Sequence, residues 1–579
     1  MSNRSLLLSL VAALCALTGF TPSASSAPAD LDPTFASNGI LFQRFAAADW
    51  GRGSDLVVQP DGKILVGGEG YPDGGGSGSA QLLARFNPDG SLDHSFGIGG
   101  YVMTDYATSD DDVVSDIALL PDGRILTGGS ADWDSDDDST LTRYLPNGVL
   151  DDSFDGDGKL RFDADLGDTD VDNLSRVAIA PDGKVVVAGS AYRSPDFDAY
   201  VKRFNENGTP DVTFNSGNTY FRHFNNNVAD SNDFATGLIV RADKRIVVAA
   251  KYESSATTTD AALFGLDSNG LSDTTFGSGA SGTRLLASGS LSAYPTDFIE
   301  QPDGKLVLLF ADYSDSTATT GMTRWDANAS TRDAGFGTAG VLAVSKGTEN
   351  IQPNAFARLA DGSFLVGGYH SDGTPNDNGF FLKVTAGGTT DPAFGSNGLR
   401  IVDSGAPSER FSDVAVQADG KFLSVGPASG SPLPASSMEI VRLLGNYVAP
   451  PVPPATVALT AKIKSPSKSK LKASKLKSIS GTAVGTGLAK VQIAIQKIDA
   501  KLLKKKKKCL FVKNSKGATK SYKAVKKKCV PTRLLAAKGT ASWSYKIKLK
   551  PGKYKLTVQP VDAAGKVGRP ILKTFKLTK

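Results

Sequence analysis

The chain repeats itself seven times, and that repeat limits what it can fold into. The block SDLVVQPDGKILVGG at 54–68 returns as SDIALLPDGRILTGG, SRVAIAPDGKVVVAG, ATGLIVRADKRIVVAA, TDFIEQPDGKLVLLF, NAFARLADGSFLVGG and SDVAVQADGKFLSVG. Its turn aspartates are Asp61, Asp122, Asp182, Asp243, Asp303, Asp361 and Asp419, spaced by 58 to 61 residues. A second mark, Asp-x-x-Phe, ends at Phe35, Phe96, Phe154, Phe214, Phe276, Phe336 and Phe394. A third follows another apolar run, as in RFNPDG (85–90), RYLPNG (143–148) and RFNENG (203–208). Self-similarity at such a period means one supersecondary unit per copy, each burying its apolar face against its neighbours.

Each copy reads as four strands, which in the first are 55–59, 63–67, 81–86 and 101–104. Apolar residues alternate in DLVVQ and KILVGG, as half-buried strands require. Pro-Asp-Gly between them is hairpin-turn chemistry, with proline presetting φ and glycine taking the left-handed position. Seven four-stranded units predict an all-β, seven-bladed β-propeller over 30–446, against the alternatives of a β-helix or an open row of hairpins. The array opens with one strand, 40–45, and stops after the third strand of its last unit, 438–444. The first strand is therefore expected to complete the last blade and remove two free edges.

At these marks the sequence resembles the delta-60 repeat family, in LDPTFASNG, VVQPDGKILVGG and ARFNPDGSLDHSFGIGG, across 31–446. The fourth and sixth units depart from the pattern, with RADKR and LADGS. The resemblance implies a propeller-like bacterial repeat and no particular biochemical role.

The ends of the chain are different in kind. Arg4 precedes an apolar run at 6–17 and small residues at 25–29, which reads as a signal peptide over 1–29 and predicts a secreted or cell-surface protein. No other apolar run is long enough to anchor the chain in a membrane. After a Pro-rich linker at 447–456, the segment 456–579 holds 34 basic and two acidic residues, a formal +32. Residues 1–455 hold 30 basic and 58 acidic, a formal −28. Alternating runs such as KVQIAIQKI and GKYKLTVQPVDAAG predict a small Ig-like β-sandwich over 457–579. KLTVQPVDAAGKVG resembles the last strands of bacterial Ig-like extracellular domains. Cys509 and Cys529 are the only cysteines beyond the leader and are expected to pair. Lys504, Lys505, Lys506, Lys507, Lys508, Lys526, Lys527 and Lys528 flank them and are the candidates for adhesion to an anionic envelope polymer. Lysine without arginine forks, and without a nucleic-acid motif, argues against specific nucleic-acid recognition.

Candidate ligand residues lie on the array. The loops after strands two and four share one face and vary in content, which is where rigid scaffolds carry binding. An aromatic recurs after strand two, as Tyr71, Trp133, Tyr192, Tyr252, Tyr313 and Tyr369. These rings would grip a glycan, or else pack between blades. Acidic clusters at Asp110, Asp111, Asp112, Asp136, Asp137 and Asp138 are candidates for Ca²⁺ through oxygen ligands, although no complete EF-type loop is present. The aspartates of Asp-x-x-Phe are expected to cap turns. His94, His223 and His370 form no triad or zinc spacing, so no catalytic residue is assigned. The reading is a non-catalytic binding protein whose propeller takes a glycan or protein, with no certain cofactor. The alternative is a secreted hydrolase using a carboxylate pair.

Overall fold

The computed structural model describes residues 29–445 and 459–579, apart from 46–47, 73–77, 107–110, 134–135, 165–170, 225–230, 256–257, 279–280, 287–292, 314–317, 375, 430–436, 485–487, 500–507, 524–533, 563–566 and 569. Residues 1–28 of the expected signal peptide and the whole of the expected linker fall outside these residues. The chain divides into two compact units, Met1–Pro450 and Pro451–Lys579. Among the described residues, helix is confined to two 3-10 turns, Asn215–Gly217 and Ala473–Lys475.

The first unit is made of four-stranded antiparallel meanders, the form of a propeller blade. The opening one runs Ala48–Val58, Ile64–Pro72, Ala80–Phe86 and Tyr101–Thr104, and four more sheets of this kind begin at Asp112, Asp172, Asp233 and Ala293. A nine-stranded sheet holds two further sets, one over Asn350–Val402 and one built on Asp413–Val416, Phe422–Ser429 and Ser437–Leu443, linked by the short Ser408–Glu409. Ile40–Gln43 completes that last set, with Ile40 opposite Val441 and Gln43 opposite Met438. First strands of consecutive sets pack together, and Ala48–Val58 packs on both Asp112–Leu119 and Asp413–Val416.

Burial follows the sequence pattern. The third strand Ala80–Phe86 is buried at every position, whereas the first strand of the next set, Asp112–Leu119, alternates buried and half-buried. Between the strands Ala48–Val58 and Ile64–Pro72 the Pro-Asp-Gly turn closes with the Gly62 amide on the Gln59 carbonyl at 2.9 Å and Gly62 at φ +85°. Among the described residues, six first strands carry a bulge, where the register slips at Gly53/Asp55, Val114/Asp116, Leu174/Arg176, Ala235/Gly237, Pro295/Asp297 and Pro353/Ala355. A bulge re-aims the side chain that follows it. Here it turns Asp55, Asp116, Arg176 and Asp297 towards one central cavity, which Asp413 also lines.

The three repeated marks converge on one joint. The Asp151 carboxylate accepts from the Ser153 amide and hydroxyl at 3.1 and 2.6 Å, which is the expected turn cap. It also takes Arg143 Nε at 2.8 Å and Arg124 Nη1 at 3.3 Å. The Arg143 guanidinium lies 4.7 Å over the Phe154 ring and donates to the Glu206 carbonyl in the next set's turn. Arg85 with Asp93 and Phe96, Arg203 with Asp211 and Phe214, and Arg324 with Asp333 and Phe336 repeat the arrangement. Arg442 carries it across the chain ends, pairing with Asp32 at 2.8 Å, covering Phe35 and reaching the Pro88 carbonyl. The period thus encodes a rivet in which a buried ring, a guanidinium and a carboxylate fasten one sheet to the next.

The second unit has two sheets. One has three strands, Thr460–Ser465, Ser478–Val484 and Ser542–Lys546, and the other is built around Leu488–Lys497, Gly552–Asp562 and Ile571–Thr578. Ile479 and Trp543 from the first sheet share a core with Val491, Ile493, Leu556 and Phe575 from the second. Lysines occupy the alternate, outward positions. Lys553 stands directly opposite Lys576, and Lys508 opposite Lys523.

Candidate functional site

The first strands begin, and the second strands end, on the face that carries the variable loops. Two residues before each bulge, one side chain per set stands at the mouth of the central cavity. Phe234, Tyr294 and Gln352 hold this place in three successive sets and Arg52 and Asn173 in others, while in the last set Arg410 stands three residues before its first strand. Rings line up around it. Tyr192 meets Phe197 edge-on at 5.3 Å, and Phe197 stacks on Phe234 at 5.3 Å. The Lys251 ammonium sits 4.5 Å from the Phe234 ring centre and 5.3 Å from that of Tyr294. Tyr294 meets Tyr313 at 5.0 Å, and Arg410 covers Tyr369 at 4.5 Å while the Tyr369 hydroxyl donates to Gln352. The result is an aromatic and cationic belt across five sets. Burial raises the Tyr313 hydroxyl to about 12, with Tyr369 and Tyr294 adding to it.

The six recurring aromatics separate. Tyr192, Tyr313 and Tyr369 join the belt. Tyr71 stands apart, its hydroxyl donating to Asp111 at 3.1 Å. Tyr252 is 4% exposed and packs on Phe224, so it belongs to the interior. Trp133 lies in a strand, but its side chain is outside the described residues. Phe197, Phe234 and Tyr294 complete the belt and were missed by the repeat comparison, because the other sets do not place aromatics there.

The acidic loops likewise divide. Asp112 is buried and accepts from the Tyr106 amide at 2.7 Å. Asp138 pairs with Arg161 at 2.6 Å. Asp137 is raised by burial and by Asp132, Asp111 and Asp138. Asp110 and the side chain of Asp136 are outside the described residues, as are Lys504–507, Lys526–528 and Cys529. Lys508 is exposed, and Cys509 is buried beside Ala494 and Phe511.

One set further on, the same register assembles a different group. Asp198 opposes Ala191 as Asp138 opposes Ala131, and one oxygen each of Asp196 and Asp198 lies with a His223 ring nitrogen within 4.8 Å of one another. His94 is exposed against the Gly99 carbonyl, and His370 is buried beside Glu349 and Lys346.

Beneath the mouth, the central cavity has a volume of about 340 Å³ and is lined by Asp55, Asp116, Arg176, Asp297 and Asp413, with Asn354. Each carboxylate accepts from a backbone amide of the following set. Asp55 takes Ile117, Asp116 takes Val177, Asp297 takes Phe356 and Asp413 takes Leu56, at 2.6 to 3.0 Å. Burial, with the neighbouring Asp55 carboxylate, pushes Asp116 up to about 7, against the pull of Arg176. Asp55 is raised by burial and by Asp413, with which it shares a hydrogen bond, and burial brings Asp413 to about 6.

Residues 59–96, 120–154 and 180–214 match a family described as a domain of unknown function (DUF5122) beta-propeller, and each match runs from a hairpin turn to the phenylalanine of Asp-x-x-Phe. The chain is thus similar to a propeller-like repeat family. No curated protein is significantly similar to it. Among solved structures, the polysaccharide lyase Uly1 aligns with a TM-score of 0.41 at 11% identity, over 69% of this chain and 91% of its own. An endo-arabinase from Bacteroides thetaiotaomicron VPI-5482 aligns with a TM-score of 0.27 at 9% identity, over 46% of this chain and 92% of its own. No helix among the described residues is long and apolar enough to cross a membrane.

Proposed function

We propose that the chain is an exported seven-bladed propeller of delta-60 repeats joined to an Ig-like basic module, and that its variable rim binds a glycan without turning it over. The belt of Tyr192, Phe197, Phe234, Tyr294, Tyr313 and Tyr369 carries this reading. Sugar rings present C–H faces that pack on aromatic faces and hydroxyls that need polar partners beside them. Asn173, Gln352, Lys251 and Arg410 supply those partners around the same mouth.

The tail's role is adhesion. Like charges directly across a ladder are unfavourable, and Lys553 opposite Lys576 and Lys508 opposite Lys523 are relieved when an anionic polymer lies over them. A Cys509–Cys529 bridge belongs to this proposal, and a non-reducing peptide map reports it directly.

The rim is tested by measuring affinity for a polysaccharide panel with the full chain. Tyr294→Ala and Tyr313→Ala are each expected to weaken binding at least tenfold, or about 1.4 kcal/mol, with Tm near that of the parent. Tyr252→Ala, which opens the interior, is expected to lower Tm instead. Unchanged binding in both rim variants refutes the proposal.

A further inference from the structure

The group formed by Asp196, Asp198 and His223, with Asp233 beside it, departs from the repeat. The same strand positions recur in neighbouring sets. Asp112 and Asp172 cap the amides of Tyr106 and Ala164 as Asp233 caps that of Phe224. At those two junctions, however, the residue before the capped amide is Asp105 or Asp163, whereas here it is His223.

The imidazole is surrounded by carboxylate oxygen. His223 Nδ1 lies 3.0 Å from Asp198 Oδ1 and 3.4 Å from Asp233 Oδ2. Asp196 brings another oxygen into the group while its Oδ2 accepts from the Ser231 amide at 3.0 Å. Asp196 and Asp198 are 7% and 6% exposed, and Asp233 is fully buried. The Asp233 oxygen nearer the imidazole, Oδ2, also accepts from the Phe224 amide at 2.8 Å, so Asp233 flanks the group. Arg193 holds Asp198 Oδ2 at 2.8 Å.

We propose that this group binds one divalent first-row transition metal through His223, Asp196 and Asp198. Ligands about 2.0–2.1 Å from a tetrahedral ion stand about 3.3 Å apart. The His223–Asp198 spacing of 3.0 Å is already close to that edge, and Asp196 brings an oxygen within 4.8 Å of both. One nitrogen with several oxygens suits zinc or manganese better than calcium, which favours oxygen alone. The site lies beside the belt, since Tyr192 and Phe234 both contact Phe197, the residue between Asp196 and Asp198. It does not depend on the glycan proposal.

The test is calorimetric titration of chelator-treated full-length protein with zinc, and separately with manganese. Saturable binding near one equivalent is expected for one of them. His223→Gln and Asp198→Asn should each weaken it at least tenfold, while His370→Gln and His94→Gln bind as the parent does. No saturable binding by either metal, or binding that survives both cluster variants, overturns the proposal. Should those variants fail to fold, X-ray absorption of the metal-loaded parent decides. One imidazole with the remaining ligands oxygen supports the site. Two imidazoles, none, or sulfur contradicts it.

Discussion

Two populations of aspartate titrate in opposite senses. The rivet carboxylates would be raised by burial alone, but hydroxyls, amides and cations outweigh it. Asp32 is held at about 2 by Thr34, Lys421 and Arg442. The Lys305 ammonium, with the Gly335 amide and Arg324, holds Asp333 at about 2. Their stabilisation is present above the unfolded value of about 3.9 and is lost as pH falls through the folded value. The axial carboxylates run the other way. Asp116 at about 7 and Asp413 at about 6 stabilise the fold fully below the unfolded value, and that contribution disappears as pH rises through 6 to 7. Asp55, Asp116, Asp297 and Asp413 line the cavity together, and among the described residues that line it Arg176 is the one cation. Tm is therefore expected to peak between about pH 4 and 6 and to fall on both sides. Asp116→Asn keeps an acceptor for the Val177 amide and removes the charge, so its Tm should gain on the parent by a few degrees between pH 5 and 8. A parent profile still rising at pH 8, or a gap independent of pH, contradicts this assignment.

At the scale of the element, the joint between sheets governs stability. Arg143 is 2% exposed and bound to Asp151, Phe154 and Glu206. Arg143→Ala leaves a buried carboxylate with a more distant cation and should cost about 3–5 kcal/mol in denaturant unfolding. The fourth set has Gly265 where five others have this arginine and the sixth has Lys383, and Arg245, at 34% side-chain exposure, reaches Asp273 instead. Arg245→Ala should accordingly cost less than Arg143→Ala, and equal losses contradict the rivet. Phe35 is fully buried under Arg442 at the joint that spans the chain ends, and Phe35→Ala should cost about 3–5 kcal/mol. These marks were legible in the sequence because they recur. Each set needs the same ring, cation and carboxylate, so the period records the joint. Reading Asp-x-x-Phe as a turn cap captured the Ser153 bonds and missed Arg143, whose approach comes from pairing between distant strands. The candidate site was less legible for the converse reason. A repeat search sees what each set shares, and Tyr252 shares its position while facing the interior. Phe197, Phe234, Tyr294 and His223 are departures from the pattern, and only the register brings them together.

For the whole molecule, charge separates two modes of attachment. The tail carries +32 and the remainder −28, so the proposed tail adhesion is expected to be electrostatic and to weaken as the screening length shrinks from about 10 Å at 0.1 M salt to about 3 Å at 1 M. Stacking on the belt has no such dependence. Replacing Lys508, Lys523, Lys553 and Lys576 together by Gln should lower the salt concentration at which the full chain leaves an anionic polymer and leave rim binding intact. The most direct measurement is retention of full-length parent and Tyr294→Ala/Tyr313→Ala protein on immobilised polysaccharides at about 0.1 and 1 M salt, where tail attraction is respectively present and screened. The account predicts a polysaccharide that retains the parent at both concentrations and releases the double variant at the higher one. Retention that vanishes at high salt for every polysaccharide, or that the double variant keeps in full, contradicts a glycan-binding rim.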